Sequence, residues 1–118
     1  MSMTKKVLAA VTAAHGLLAP AVPAQELVTD DQGRSEMIYD VGRLHVAPGA
    51  QITHDTCIAC HSEMIIAQQG QDREGWDDIL DWMVEEMGMA ELMAEDREVI
   101  LDYLATHYGP DRPHFPFK

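Results

Sequence analysis

The chain has 118 residues, with 20 acidic side chains against 8 basic ones and a formal net charge of −12. This length accommodates one domain and excludes a second enzyme domain. The charge argues against binding to nucleic acid or to an anionic membrane surface, and it favours a partner with a basic contact surface.

The N-terminal residues predict a secretory signal peptide over 1–24. Lys5 and Lys6 precede an apolar, almost charge-free run, Val7 to Pro23, which ends at the small-residue site Val22-Pro23-Ala24. The run is too short and too interrupted by proline to span a membrane stably. Cleavage after Ala24 would remove 24 residues and both lysines, which leaves an exported, periplasmic chain of 94 residues with a charge of −14.

Residues 25–47 show no sustained hydrophobic period. Asp30 to Gly33 is a turn cluster, and the apolar residues between Ser35 and Val46 fit neither a helix nor a strand. We interpret this stretch as an N-terminal arm, which is either docked on a partner or a loosely packed terminus. No strand is predicted here or elsewhere in the chain.

Helical signals dominate the rest of the chain. A helix is expected from Ala50 to Cys60, and a mixed segment follows from Ser62 to Gly70. The next helix should start after an N-cap at Asp72, run from Arg73 to about Met87 and end at Gly88. Its apolar residues recur at helical spacing and are Trp76, Ile79, Leu80, Met83, Val84 and Met87.

The last predicted helix runs from Glu95 to about His107 and stops at Gly109-Pro110. The proline-rich tail, residues 110–118, is expected to be extended. The predicted fold is therefore all-α, a small cytochrome c-like arrangement of three to four short helices around one covalently attached haem that completes the core.

The haem prediction comes from the only two cysteines, which form Cys57-x-x-Cys60-His61, the attachment signature of c-type haem. Two thiols at this spacing can add to the two vinyl groups of one porphyrin, and His61 then becomes the proximal iron ligand.

A thioredoxin-like redox pair would expect a βαβ setting, which is not visible. A zinc site would need further ligands, and the other histidines of the mature chain do not form a second knuckle: His45, His54, His107 and His114. A local disulfide is the remaining alternative.

A methionine opposite His61 would raise the reduction potential and leave no open iron position, which suits electron transfer. Met83 on the inward face of its helix and Met89 in the loop after Gly88 are the two candidates. Both could equally be flexible core filler, and periodicity does not decide between them.

A resemblance adds to these observations. The chain contains, in this order, Cys57-x-x-Cys60-His61-Ser62, Trp76-x6-Met83, Gly88, Tyr103-Leu104-Ala105 and Tyr108-Gly109. This set resembles monohaem cytochromes of the sulfite dehydrogenase type, in which a small cytochrome c subunit accepts electrons from a molybdenum-containing catalytic subunit. The resemblance covers a cytochrome c domain over residues 48–109 and implies Met83 as the distal iron ligand. The family often has alanine where this chain has Met89.

The resemblance also implies the function. We expect an electron-transfer subunit, without catalytic residues of its own, that accepts electrons from a sulfite-oxidising dehydrogenase and passes them to a downstream carrier. The alternatives are a free-standing electron carrier and a haem sensor or enzyme with a displaceable sixth ligand. Trp76 and Tyr103 are expected to pack on the haem, and an exposed Trp82 would be a candidate partner contact.

Overall fold

The computed structural model describes residues 20–21 and 24–115, so most of the predicted signal peptide and the last three residues lie outside the described part. The described chain is a small, mostly helical domain with four helices and one two-stranded hairpin. The elements are β1 (Glu26–Thr29), β2 (Ser35–Ile38), α1 (Ala50–Cys57), α2 (Glu63–Ala67), α3 (Arg73–Glu85) and α4 (Ala94–His107).

The hairpin is the feature that the all-α prediction missed. Its strands pair antiparallel, from Glu26 opposite Ile38 to Thr29 opposite Ser35. The turn cluster was recognised, and it closes this hairpin: the Asp30 carboxylate accepts the backbone N–H groups of Gln32 and Arg34. Strands of four residues are too short for their alternation to stand out in the sequence.

The segment that was expected to be an arm packs on the chain's own helices. Ile38, Val41 and Leu44 are at most 4% exposed and belong to the core. Glu36 accepts the backbone N–H of Gly49 at 2.6 Å, just before α1 begins. The N-terminal segment therefore covers one side of the helical domain.

The predicted bounds of α3 and α4 agree with the structure to within about two residues. In contrast, α1 ends at Cys57 and not at Cys60, and the short helix α2 forms in the segment that was predicted to be mixed. The Asp72 carboxylate accepts the Gly75 N–H at 2.8 Å and so caps α3 as predicted. Two arginines then tie α3 to α4: Arg73 pairs with Glu98 and Asp102, and Arg97 pairs with Asp77 and Asp81. These partly exposed pairs fix the orientation of the two helices more than they add stability.

The C-terminal segment turns back on the domain over residues 109–115, where an extended tail was expected. Arg112 lies in the left-handed region at a φ of 49° and donates from its guanidinium to the Gln68 carbonyl at 2.7 Å. The same guanidinium lies 3.9 Å from the centre of the Phe115 ring. Contacts between distant parts of the chain thus override the local preference of the prolines.

The core is made of side chains from every helix and from the N-terminal segment, and Ile100, Leu104, Tyr103 and Tyr108 are among its most deeply buried members. Within the described residues, no helix has the length and apolar character that a membrane span requires.

Candidate functional site

A large cavity lies beside the core, with a volume of about 850 Å³. This is within the range of roughly 300 to 1,000 Å³ that is typical of sites for small molecules and cofactors. Its wall is mainly apolar and comes from the end of α1, α2, one face of α3 and the loop that follows α3. The lining includes Cys57, Cys60, His61, Ile65, Ile66, Trp76, Ile79, Leu80, Trp82, Met83, Met87, Met89, Leu92 and Leu104.

The apolar face of α3 is only partly covered where it borders the cavity. The helix has the apolar stripe that its spacing predicts, but only Trp76 and Leu80 in this stripe are buried. Ile79 and Met83 are only partly covered, and Met87 is 55% exposed. A helix with this pattern normally packs its whole stripe against a partner. Here the residues of the stripe that are not buried, Ile79, Met83 and Met87, line the cavity, so an apolar group of cofactor size would complete their packing.

The two cysteines enter the cavity from the C-terminal end of α1. Both are free thiols, with Cys57 in the last position of the helix and Cys60 in the turn that follows. Burial in the apolar wall raises the pKa of the Cys57 thiol to about 11. Cys57 is therefore protonated at neutral pH, unlike the low-pKa thiolate on which a thiol–disulfide oxidoreductase depends.

His61 lines the same cavity immediately after Cys60. Its Nδ1 atom lies 3.3 Å from the Ser62 carbonyl oxygen. Donation from Nδ1 would leave Nε2 as the atom with a free lone pair, the arrangement that metal-ligating histidines use. Ser62 is itself held because its hydroxyl oxygen accepts the Met64 N–H and caps α2. The sequence could not identify the carbonyl that orients His61.

Met83 and Met89 both line the cavity, and the chain brings them together. After α3, Gly88 adopts a φ of 75° and folds the chain back, so that the Met89 N–H donates to the Met83 carbonyl at 3.0 Å. Both residues therefore belong to one region of the wall, although one lies in a helix and the other in a loop.

The structure separates the two aromatic residues that were predicted to pack on a haem. Trp76 is 3% exposed, lines the cavity and donates from Nε1 to the Tyr108 carbonyl at 3.0 Å. Tyr103 does not line this cavity, because successive α4 residues point about 100° apart and Leu104 takes that position. The Tyr103 hydroxyl instead donates to the His45 carbonyl at 2.6 Å. Trp82 lines the cavity with 52% of its surface exposed.

These observations test whether the predicted covalent haem fits. The cavity has the volume and mainly apolar wall of a cofactor site, and part of the apolar stripe of α3 is left uncovered by the described residues. The same wall holds two thiols, one imidazole and three thioethers, from Met83, Met87 and Met89. This set includes every donor that a c-type haem with one histidine and one methionine ligand needs. The residues present are compatible with that group.

Gly88 offers a test of how this wall is built. No atom lies within 4 Å of a Cβ added there, so the substitution Gly88→Ala creates no clash, only strain at positive φ. We expect it to lower the free energy of unfolding by about 1 to 2 kcal/mol, measured by urea denaturation. Gly33→Ala, which is equally open and lies in the hairpin turn at a φ of 80°, is the matched control outside the cavity. If Gly88→Ala changed the surroundings of the cavity and Gly33→Ala did not, the result would show that the turn at Gly88 positions Met89. An unchanged stability in Gly88→Ala would contradict the left-handed turn.

A second group of side chains was missed by the sequence analysis. His45, His107 and His114 bring one ring nitrogen each within 4.8 Å of one another, although they come from three separate segments. Their positions, 62 and 7 residues apart along the chain, follow no ligand motif, and no local signal could have found them.

No protein-family model, no curated protein and no solved structure matches the chain.

Proposed function

We propose that this protein is a c-type cytochrome that transfers single electrons through one covalently bound haem. The observation that carries the proposal is the convergence of Cys57, Cys60, His61 and three methionines on one mainly apolar cavity of about 850 Å³. A haem, when bound there, supplies reversible one-electron chemistry at its iron.

The chain's own residues have distinct roles in this proposal. The S–H groups of Cys57 and Cys60 would each add across a vinyl group, with sulfur bonding to one carbon and hydrogen to the other. His61 would bind the iron through Nε2, and Met83, with Met89 as the alternative, would bind it through sulfur. With a haem in place, the apolar wall would limit the access of water to the iron, which suits a ligand set that needs no open position.

The rim of the cavity supports electron exchange with another protein. Ile65, Trp82 and Met87 line the cavity and are 49%, 52% and 55% exposed. Apolar and aromatic side chains of this kind are typical of protein contacts. The surrounding chain carries an excess of carboxylates, and its arginines in α3 and α4 are held in ion pairs. A partner with a basic surface fits this arrangement.

The resemblance to cytochromes of the sulfite dehydrogenase type suggests the donor. We propose a molybdenum-containing, sulfite-oxidising subunit, with a separate carrier downstream and a periplasmic location after export. Both cysteines of this chain would be used for haem attachment, so oxidation of the substrate would take place on the other polypeptide.

A second candidate is a haem sensor or enzyme with a displaceable sixth ligand. Gln69 favours it, because this polar side chain lines the cavity and could bind a small molecule on the iron. Carbon monoxide separates the two candidates. The electron-transfer protein should stay six-coordinate when reduced and bind the gas slowly, whereas the sensor should bind it at once.

A cofactor-free thiol–disulfide protein is the third possibility, and thiol alkylation tests it. Cys60 is exposed, whereas Cys57 is partly buried with a raised pKa. In the haem-free chain at pH 8, we expect iodoacetamide to modify Cys60 at least about tenfold faster than Cys57, because only the thiolate reacts. Mass spectrometry of the digested protein gives both rates. A faster reaction at Cys57 would contradict the buried, protonated thiol and would favour redox chemistry.

The experiment that tests the function starts with the chain produced alongside a c-type haem maturation system. We expect a sharp α-band on reduction and no rapid change with carbon monoxide. When a molybdenum-containing protein that copurifies with the chain is present, we expect added sulfite to reduce the haem. A spectrum without a Soret band would overturn the whole proposal. A normal spectrum without sulfite-dependent reduction would overturn only the proposed donor.

A further inference from the structure

Three histidines lie together outside the cavity. One nitrogen from each ring of His45, His107 and His114 lies within 4.8 Å of the others. His107 Nδ1 and His114 Nε2 are 3.2 Å apart, and the His45 and His114 rings stack with centroids 3.9 Å apart. None of the three lines the cavity that holds the cysteines.

The fold holds the first two histidines firmly. The backbone of His45 is fixed on both sides, because its N–H donates to the Tyr108 hydroxyl at 2.9 Å and its carbonyl accepts from the Tyr103 hydroxyl at 2.6 Å. His107 lies in the last turn of α4, between these two tyrosines in the sequence. The same pair of buried tyrosines thus positions both the loop that carries His45 and the end of the helix that carries His107.

The third histidine is placed by the turns of the C-terminal segment. Arg112 anchors this segment through the Gln68 carbonyl, and the Phe115 N–H donates to the Arg112 carbonyl at 3.2 Å. His114 lies between these two anchored positions and so reaches back over His45. The expected extended tail would not have brought it there.

We propose that His45, His107 and His114 form a binding site for a divalent transition-metal ion, and that the ion is zinc. Zinc–nitrogen bonds of 2.0 to 2.1 Å in a tetrahedral site place ligand nitrogens about 3.3 Å apart. The His107–His114 distance of 3.2 Å already matches this spacing. The His45 ring now stacks on the His114 ring, so it would have to turn toward the ion for the remaining nitrogen–nitrogen distances, which are at most 4.8 Å, to shorten.

The surroundings favour a cation. His107 lines a depression of about 360 Å³ that contains three carboxylates, from Asp30, Asp31 and Asp102. Asp30 is paired with Arg34 and Asp102 with Arg73, so the Asp31 carboxylate leaves a net negative charge near His107, which favours a divalent ion.

Zinc bound here would join three parts of the chain. It would link the segment before α1, the end of α4 and the C-terminal turns, which otherwise meet through ring stacking and two tyrosine hydrogen bonds. Because the unfolded chain separates these residues, the ion would bind the folded state preferentially and stabilise it. Three protein ligands would leave the fourth position for water, since His45 is exposed.

Calorimetric titration of the full, EDTA-treated and dialysed chain with zinc chloride tests the site. We expect one equivalent to bind, with the thermal midpoint rising on addition of zinc and returning when EDTA is added. His45→Gln and His114→Gln should each weaken binding at least tenfold and abolish the thermal shift, with helix content unchanged by circular dichroism. His54→Gln, which changes a histidine outside the cluster, should bind like the wild type.

A variant without thiols distinguishes zinc binding by the three histidines from zinc binding in the cavity. The chain with Cys57→Ser and Cys60→Ser should still bind one equivalent of zinc, because the cluster does not use the thiols. If the wild type showed no saturable binding, or if the cluster variants bound zinc as tightly as His54→Gln, the proposal would be overturned. Loss of binding in the cysteine variant alone would also overturn it, by assigning the ion to Cys57, Cys60 and His61.

Discussion

Replacing both thiols, Cys57→Ser with Cys60→Ser, is expected to abolish covalent haem attachment. The hydroxyl of serine does not add to a porphyrin vinyl group under the conditions in which the thiol does, so no thioether can form. Haem staining after denaturing electrophoresis should fall from one haem per chain to none. The single variants should each keep one thioether, with the α-band shifted by the vinyl group that remains.

The expected effect is large because the cavity depends on its occupant. An apolar space of about 850 Å³ exposes the stripe of α3 to water if nothing fills it. The double variant should therefore also unfold at a lower temperature than the haem-loaded wild type. His54→Gln, close to the motif but outside the cavity, is the matched control and should retain full haem. Haem that stayed attached to the double variant through denaturation would contradict the thioether assignment.

Met83→Ala is expected to remove the sulfur ligand from the iron. The weak near-infrared absorption that sulfur–iron bonding gives should disappear, and the reduced protein should bind carbon monoxide at once. The reduction potential should fall by at least about 0.1 V, a fraction of the roughly 0.8 V range that axial ligands span. Absorption spectra and a redox titration of the purified variant measure all three changes.

Met89→Ala is the matched control, because Met89 lies in the same wall and its N–H donates to the Met83 carbonyl. It should keep the near-infrared band and nearly the wild-type potential, since its backbone hydrogen bond is retained in the variant. The reverse pattern would assign the ligand to Met89. A band that survived in both variants would contradict Met83 and Met89 as ligands and leave Met87 as the remaining methionine of this wall.

The helices could be predicted from the sequence because their signals are local. The side chain of Asp72 caps α3, and the spacing of Trp76, Leu80 and Met83 defines its inward face. The attachment motif is equally local, so its residues could be identified without a structure. The hairpin could not, because four-residue strands carry too little pattern and their pairing depends on packing against α1.

The remaining differences arise from tertiary contacts. Whether Tyr103 or Leu104 faces the cavity depends on the rotation of α4, which periodicity defines only within about one residue. The path of the C-terminal segment is set by the contact of Arg112 with the Gln68 carbonyl, 44 positions earlier in the chain. The histidine cluster follows from that path, and so it too was invisible in the sequence.

The intact mass of the matured, purified chain tests the central claim most directly. Addition of two thiols to two vinyl groups loses no atoms, so we expect the mass of the polypeptide plus one whole haem, stable to denaturation and acid. The mass of the bare polypeptide would contradict the proposed site, and a mass lower by two hydrogens would show a Cys57–Cys60 disulfide in its place.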